Sequence, residues 1–166
     1  MKIGIVSDSH DHHVNVLKAV DIFNDEKVDY ILHAGDIISP IAAEAFSKVK
    51  NSQFIAVFGN CDGEKLFLRS TIEAFGGQIH DQPYIGQIEG KKIFMTHTPG
   101  ALDAVIDSGR YDLVIYGHTH KQDIREVGTS LVINPGELTD WVTGKSDLVI
   151  LQLDNMSWKN IAVSRL

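Results

Sequence analysis

The sequence predicts an α/β fold in which two mixed β-sheets pack as a sandwich with helices on the outside. Three observations point there. The first half alternates short apolar runs with stretches of helical spacing, in the rhythm β-α-β-α-β-α. The second half turns strand-rich and carries three hairpin signals. Apolar residues make up 43% of the 166 residues, which is enough to fill the space between two layers in a domain of ordinary size. No internal linker or repeat interrupts the chain, so residues 1–166 are read as a single domain.

The elements follow in order. Residues 2–7 are short, apolar and rich in branched side chains, the mark of a buried strand. Val14, Leu17, Ala19, Val20, Ile22 and Phe23 recur at helical spacing, which predicts a helix to about Asn24. A second strand covers residues 29–33. Pro40 suits the first turn of a helix running to about Val49. A third strand covers 53–58, and a helix over 64–75 stops at Gly76-Gly77. Strands are expected at 78–80, 84–89 and 91–96, a short helix at 101–108, and strands at 112–116, 124–127, 130–133, 148–153 and 159–164. Gly90-Lys91, Gly128-Thr129 and Asp154-Asn155 mark the hairpin turns. Sheet order does not follow from this pattern.

Composition narrows the function. The formal charge of −7 argues against a nucleic-acid-binding surface. No apolar run is long enough to span a bilayer, and the strand-like N-terminus carries no signal-peptide pattern. One cysteine, Cys61, rules out an internal disulfide. A soluble cytoplasmic protein is expected.

The informative feature is repetition at strand ends. Five apolar segments each end in a polar cluster: Asp8-Ser9-His10, Gly35-Asp36, Gly59-Asn60-Cys61-Asp62, Thr96-His97-Thr98 and Gly117-His118-Thr119-His120. In α/β sheets, ligands collect beyond the carboxyl ends of strands, so the five loops are expected to converge. Asp8, His10, Asp36, Asn60, His97, His118 and His120 then form one chemical set. Imidazole and carboxylate ligands suit divalent transition metals. Seven donors are too many for one small ion and suit two ions sharing a bridging carboxylate. Glycines before Asp36, Asn60 and His118 would let the backbone turn sharply and approach closely. A lone Asp or His at a strand end is usually a turn residue or a cap; it is their joint occurrence that speaks for metal. His12, His13, His33 and His80 are read as such ordinary residues. Asp11 is left outside the set. Asp62 is expected either to orient a nearby His or to cap the helix that follows.

These blocks resemble the calcineurin-like metallophosphoesterase superfamily, whose pattern runs Asp-x-His, Gly-Asp, Gly-Asn-His-Asp/Glu, Gly-His and Gly-His-x-His. All five occur here in order over residues 8–120, with Thr96 in place of the glycine before His97. The short length, Gly59-Asn60-Cys61-Asp62 and Asn134-Pro135-Gly136 resemble its small prokaryotic phosphodiesterase branch, which is related to a eukaryotic trafficking subunit that keeps the fold as a scaffold. The resemblance implies a metallophosphoesterase-like αββα sandwich. It implies that Asp8, His10, Asp36 and His120 hold one metal, and that Asp36, Asn60, His97 and His118 hold the other, with Asp36 bridging. Asp36 and Asn60 are the two singled out as catalytic. Many members carry His where Cys61 stands; that His contacts substrate, and a neutral thiol is a poor replacement as an acid.

The function expected is dimetal-dependent hydrolysis of phosphate esters, most of all diesters, by a metal-bridging hydroxide attacking phosphorus in line. The cofactors expected are two divalent transition-metal ions per chain, manganese or nickel first, with iron, cobalt and zinc also suited to the ligands. The partner expected is a small-molecule phosphodiester, with no membrane and no stably bound nucleic acid; a homodimer stays open. The alternative is a protein-binding scaffold of the same fold with little catalysis. A metal-storage or sensing protein is a third reading. A scaffold would be free to lose ligands, and all seven positions are filled. No Gly-x-Ser-x-Gly elbow or Walker-type phosphate loop is present.

Overall fold

The structure is a computed structural model describing residues 1–163. The first half contains β1 (Lys2–Val6), α1 (His13–Glu26), β2 (Tyr30–His33), α2 (Pro40–Ala45), β3 (Gln53–Val57), α3 (Lys65–Ala74) and β4 (Gln78–His80). The second contains β5 (Tyr84–Ile88), β6 (Lys91–Met95), α4 (Leu102–Asp107), β7 (Leu113–Ile115), β8 (Asp123–Val127), β9 (Ser130–Asn134), β10 (Asp147–Gln152) and β11 (Ser157–Ala162). Ser164, the last residue of the expected final strand, lies outside the described residues.

The strands form two mixed sheets, in the orders β11-β10-β1-β2-β3-β4 and β5-β6-β7-β9-β8. In the first, β1 to β4 run parallel, and β10 and β11 are added antiparallel. In the second, β6, β7 and β9 are parallel, with an antiparallel strand at each edge. The sheets face each other through one apolar layer. Ile3, Ile5, Leu32 and Val57 from the first meet Ile93, Met95, Leu113, Ile115 and Ile133 from the second. Alternation along each strand turns the remaining residues outward. Val6, Ile31, Phe54 and Ala56 pack under Val16, Val20 and Phe23 of α1 and Leu68 and Ile72 of α3. On the far side Phe94, Val114 and Val132 pack under Leu102 and Ile106 of α4. The order is therefore helix, sheet, sheet, helix, as the sequence predicts.

Parallel pairing also positions the polar clusters. β1, β2 and β3 end together at one edge of the first sheet, and β6 and β7 at one edge of the second. The five clusters thus share one end of the sandwich.

Two expectations need correction. The helix expected to reach Val49 ends at Ala45 and tightens into a 3-10 turn over Phe46–Lys48. The tighter turn seats the buried Phe46 ring against Phe54, with ring centroids 5.0 Å apart. The first hairpin turns at Glu89-Gly90 rather than Gly90-Lys91, because both residues take positive φ, 46° and 83°, as a two-residue hairpin requires. Among the described residues, no helix is long and apolar enough to cross a membrane.

Gly4 shows how closely α1 sits on the first sheet. A Cβ there would overlap the buried Phe23 ring. Gly4→Ala is expected to cost about 1–3 kcal/mol through overpacking. Phe23→Leu should return part of that loss, leaving a coupling of about 1 kcal/mol in a double-mutant cycle measured by urea denaturation. Strict additivity would contradict this account of the contact.

Candidate metal centre

Five of the seven expected ligands sit in backbone that L-residues adopt reluctantly. Asp8, His10, Asp36, His118 and His120 have φ of 53°, 38°, 58°, 69° and 60°. Such conformations cost free energy and persist only where neighbours fix them. Here each loop hydrogen-bonds the next: Asp8 N–H donates to Gly35 O at 3.0 Å, His10 N–H to Asp36 O at 3.0 Å, and Gly117 N–H to His97 O at 3.1 Å. Two glycines permit the approach. A Cβ on Gly59 would overlap the Asp36 carboxylate, and one on Gly117 would overlap the Ser7 hydroxyl.

Asp62 completes the framework in a way neither sequence reading foresaw. It neither orients a His nor caps α3, whose first turn has no side-chain cap. Its buried carboxylate accepts from the backbone N–H groups of Gly59 at 2.7 Å, Ile38 at 2.6 Å and Asp36 at 3.2 Å. It therefore ties the Asn60 loop to the Asp36 loop.

All seven side chains converge. Asp36 Oδ2 lies 3.5 Å from His10 Nε2 and 3.3 Å from His97 Nε2. Asp8 Oδ1 lies 3.7 Å from His10 Nε2 and 3.4 Å from His120 Nε2. Asn60 Oδ1 lies 2.8 Å from both His97 Nε2 and His118 Nδ1. Asp8, Asp36 and His97 are buried, whereas Asn60 and His118 are exposed and mark the open side. Asp11 stays apart, accepting from Ser39 N–H at 2.9 Å.

The donor set fits cations. Asp8 Oδ1 and His10 Nε2 are buried and have no hydrogen-bond partner. His97 Nδ1 lies 2.8 Å from the Ala34 carbonyl and His120 Nδ1 2.8 Å from a Glu137 carboxylate oxygen. Both contacts require Nδ1–H, so each neutral ring turns its Nε2 lone pair inward. Those lone pairs then face carboxylate and amide oxygens, an arrangement that needs a positive charge between them. Asp8, His10 and His120 bring ligand atoms close enough for one cation, as do Asp8, Asp36 and His97, and Asn60 Oδ1 adjoins His97 and His118 beside the latter group.

The charges respond in the same sense. Burial raises the pKa of Asp36, but the His97 ring and the Cys61 N–H, which donates at 2.7 Å, outweigh it and hold the carboxyl well below its usual range. Burial lowers the pKa of His97 and His10, yet the contacts to Asp36 and Asp8 raise both on balance. The Cys61 Sγ also lies near the His10 and Asp36 donors. Burial and the adjacent Asp36 push its thiol up to about 11, so it stays protonated at neutral pH and ligates poorly.

Two supporting residues escaped the sequence reading. Glu137, buried three residues beyond β9, accepts from His120 and from the Thr139 hydroxyl at 2.5 Å, the Thr143 hydroxyl at 2.7 Å and the Thr143 N–H at 2.5 Å. These donors offset burial and bring its carboxyl down to about 2. Gln82 Oε1 accepts from the Thr96 hydroxyl at 2.9 Å and from the N–H groups of His97 and Thr98 at 3.0 and 3.1 Å, holding the His97 loop. Glu137 had a signal: it follows Asn134-Pro135-Gly136 at a sixth strand end. Gln82 had none.

The four excluded histidines stay outside the cluster. His12 accepts from Asn15 N–H at the start of α1, His13 is exposed, and His80 packs beside Tyr84. His33 is fully buried between Ser9 Oγ, at 3.0 Å, and the Gly35 N–H, at 3.2 Å. Burial pushes its pKa down to about 3. Between that value and the ordinary 6.5, the unfolded chain binds a proton that the native state refuses. Stability is therefore lost as pH falls through this window, by about 1.4 kcal/mol per pH unit. Urea denaturation in chelator should show wild type losing about 2 kcal/mol more than His33→Gln between pH 7 and pH 5. Equal losses would contradict the assignment.

Comparison with known proteins agrees with the geometry of the site. The profile of the calcineurin-like phosphoesterase superfamily domain matches residues 1–156. A phosphodiesterase of Methanocaldococcus jannaschii is 40% identical over 98% of this chain and 99% of its own length. The solved structure of an archaeal phosphodiesterase superposes with a TM-score of 0.92 at 40% identity, covering 98% of this chain and 99% of that one. Zinc-complexed Vps29 of Entamoeba histolytica shares the fold at a TM-score of 0.69 and 17% identity, covering 99% of this chain and 100% of that one. The chain belongs to the calcineurin-like phosphoesterase superfamily.

Proposed function

We propose that this chain is a phosphodiesterase that works with two divalent metal ions. The observation that carries the reading is Asp36 Oδ2, one carboxylate oxygen placed between His10 Nε2 at 3.5 Å and His97 Nε2 at 3.3 Å. That is the position a bridging ligand needs. Asp8, His10 and His120 would complete the first site with Asp36, and Asn60, His97 and His118 the second. The 40% identical archaeal relative named a phosphodiesterase supports the same reading.

When bound, the two ions supply a hydroxide nucleophile near neutral pH and Lewis acidity toward the phosphoryl oxygens. The chain's own residues set the conditions. The Ala34 carbonyl and Glu137 fix the tautomers of His97 and His120, so that both present lone pairs without rearrangement. Asp8 and Asp36 bring two negative charges against four positive ones, which leaves the opening attractive to an anion in a protein of net charge −7. Asn60 and His118 lie at the exposed side, where a phosphate would enter. Cys61, neutral, adds no positive charge to balance the second charge of a monoester, which favours diesters. Imidazole-rich sites with carboxylates suit manganese or nickel.

Asp36→Asn and Asp11→Asn separate the bridge from a neighbouring acid. Asp36→Asn should lower hydrolysis of bis(p-nitrophenyl) phosphate more than about 100-fold, beyond the loss typical of residues that only support a ligand. Asp11→Asn should stay within about threefold of wild type, since its carboxyl only receives the Ser39 N–H. Similar losses in two folded variants would remove the reason for placing Asp36 at the centre.

A further inference from the structure

The loop after Glu137 carries a large apolar side chain in the open beside the metal centre. Trp141 is 64% exposed. Its ring lies 6.1 Å from that of His10 and 6.0 Å from that of His12, centroid to centroid. A tryptophan ring left open to solvent offers a π-face to a planar ligand. This one is held in place. Asn15, buried on α1, donates its side-chain N–H groups to the carbonyls of Leu138 and Thr139, both at 3.0 Å. Trp141 N–H donates to the Thr139 hydroxyl at 3.0 Å, and Val142 N–H to Glu137 at 3.1 Å. The carboxylate that orients His120 thus also anchors the loop that presents Trp141.

We propose that Trp141 is a substrate-contacting wall, and that the site takes diesters carrying a planar aromatic ring, aryl or nucleobase, on the arm next to His10. This rests on the phosphodiesterase reading, which puts phosphorus over the Asp36 bridge. His10 Nε2 lies 3.5 Å from Asp36 Oδ2 and the His10 ring 6.1 Å from that of Trp141, so a substituent leaving phosphorus toward His10 would run toward the Trp141 ring. Stacking tolerates any planar ring, because it needs a π-face rather than a matched hydrogen bond. His10 and His12 support the ring on one side, and its exposed surface is free for the ligand.

The test holds the leaving group constant. The kcat/KM for thymidine 5′-p-nitrophenyl phosphate and phenyl p-nitrophenyl phosphate is compared with that for methyl p-nitrophenyl phosphate. Trp141→Ala should lower the aromatic-to-methyl ratio about tenfold, mainly through KM, and Trp141→Phe should restore most of it. The chain has two tryptophans, so Trp158→Phe leaves Trp141 as the sole indole fluorophore. In metal-loaded Trp158→Phe protein, thymidine monophosphate and phenyl phosphate should quench that fluorescence, and methyl phosphate should not. Quenching by only one aromatic ligand assigns the ring to that source. An unchanged ratio, or fluorescence that ignores both aromatic ligands or answers methyl phosphate equally, would overturn the proposal. The titration reads ring contact without turnover. Failure of all three esters to react would therefore count against the phosphodiesterase reading, while the titration still decides the role of Trp141.

Discussion

The site depends on a repulsion that the fold imposes. Nε2 of His97 and of His120, each a lone pair while its ring is neutral, are turned toward the oxygens of Asp36, Asn60 and Asp8 at 2.8–3.4 Å. With Nδ1–H committed to the Ala34 carbonyl in His97 and to Glu137 in His120, neither ring can turn a donor inward while neutral. Raised histidine pKa values show one response, protonation beside the carboxylates. Divalent cations are the other, and they satisfy every inward donor at once. A cluster of this kind without cations would be a stability liability, since buried polar atoms lacking partners are costly.

The rest of the end of the sandwich reads as a device for holding that cluster. Left-handed backbone at five of the seven residues aims side chains where extended strands could not. Its cost is met by links both within the loops and between them. Asp62 joins the loops after β2 and β3, Gln82 holds the loop after β6, and Glu137 joins the loop after β7 to the segment that follows β9. Each is a carboxylate or amide accepting several N–H or O–H donors. The apolar layer between the sheets sets where strands end, and these polar links set where side chains point.

That division explains how far the sequence could be read. Short apolar runs ending in Asp, Asn, Gly or His are local patterns, so the strands and all seven converging residues were legible before any contact was known. The layers followed from alternation and from the change of rhythm at mid-chain. Residues acting across loops were not legible. Asp62 read as either a histidine partner or a cap because its three partners lie in other segments or across a tight turn, and Gln82 sits in a stretch without pattern. The 3-10 turn at Phe46–Lys48 was missed because packing of Phe46 on Phe54, a tertiary contact, overrides helix propensity there. Sheet order likewise depends on pairings between distant strands.

The central claim is that one carboxylate serves two cations, and metal stoichiometry tests it most directly. Protein stripped with chelator, reloaded with manganese or nickel and freed of excess ion should contain about two ions per chain by elemental analysis if Asp36 bridges two sites as proposed. Asp36→Asn should lower that count. Fully active protein that saturates with a single ion would contradict the account.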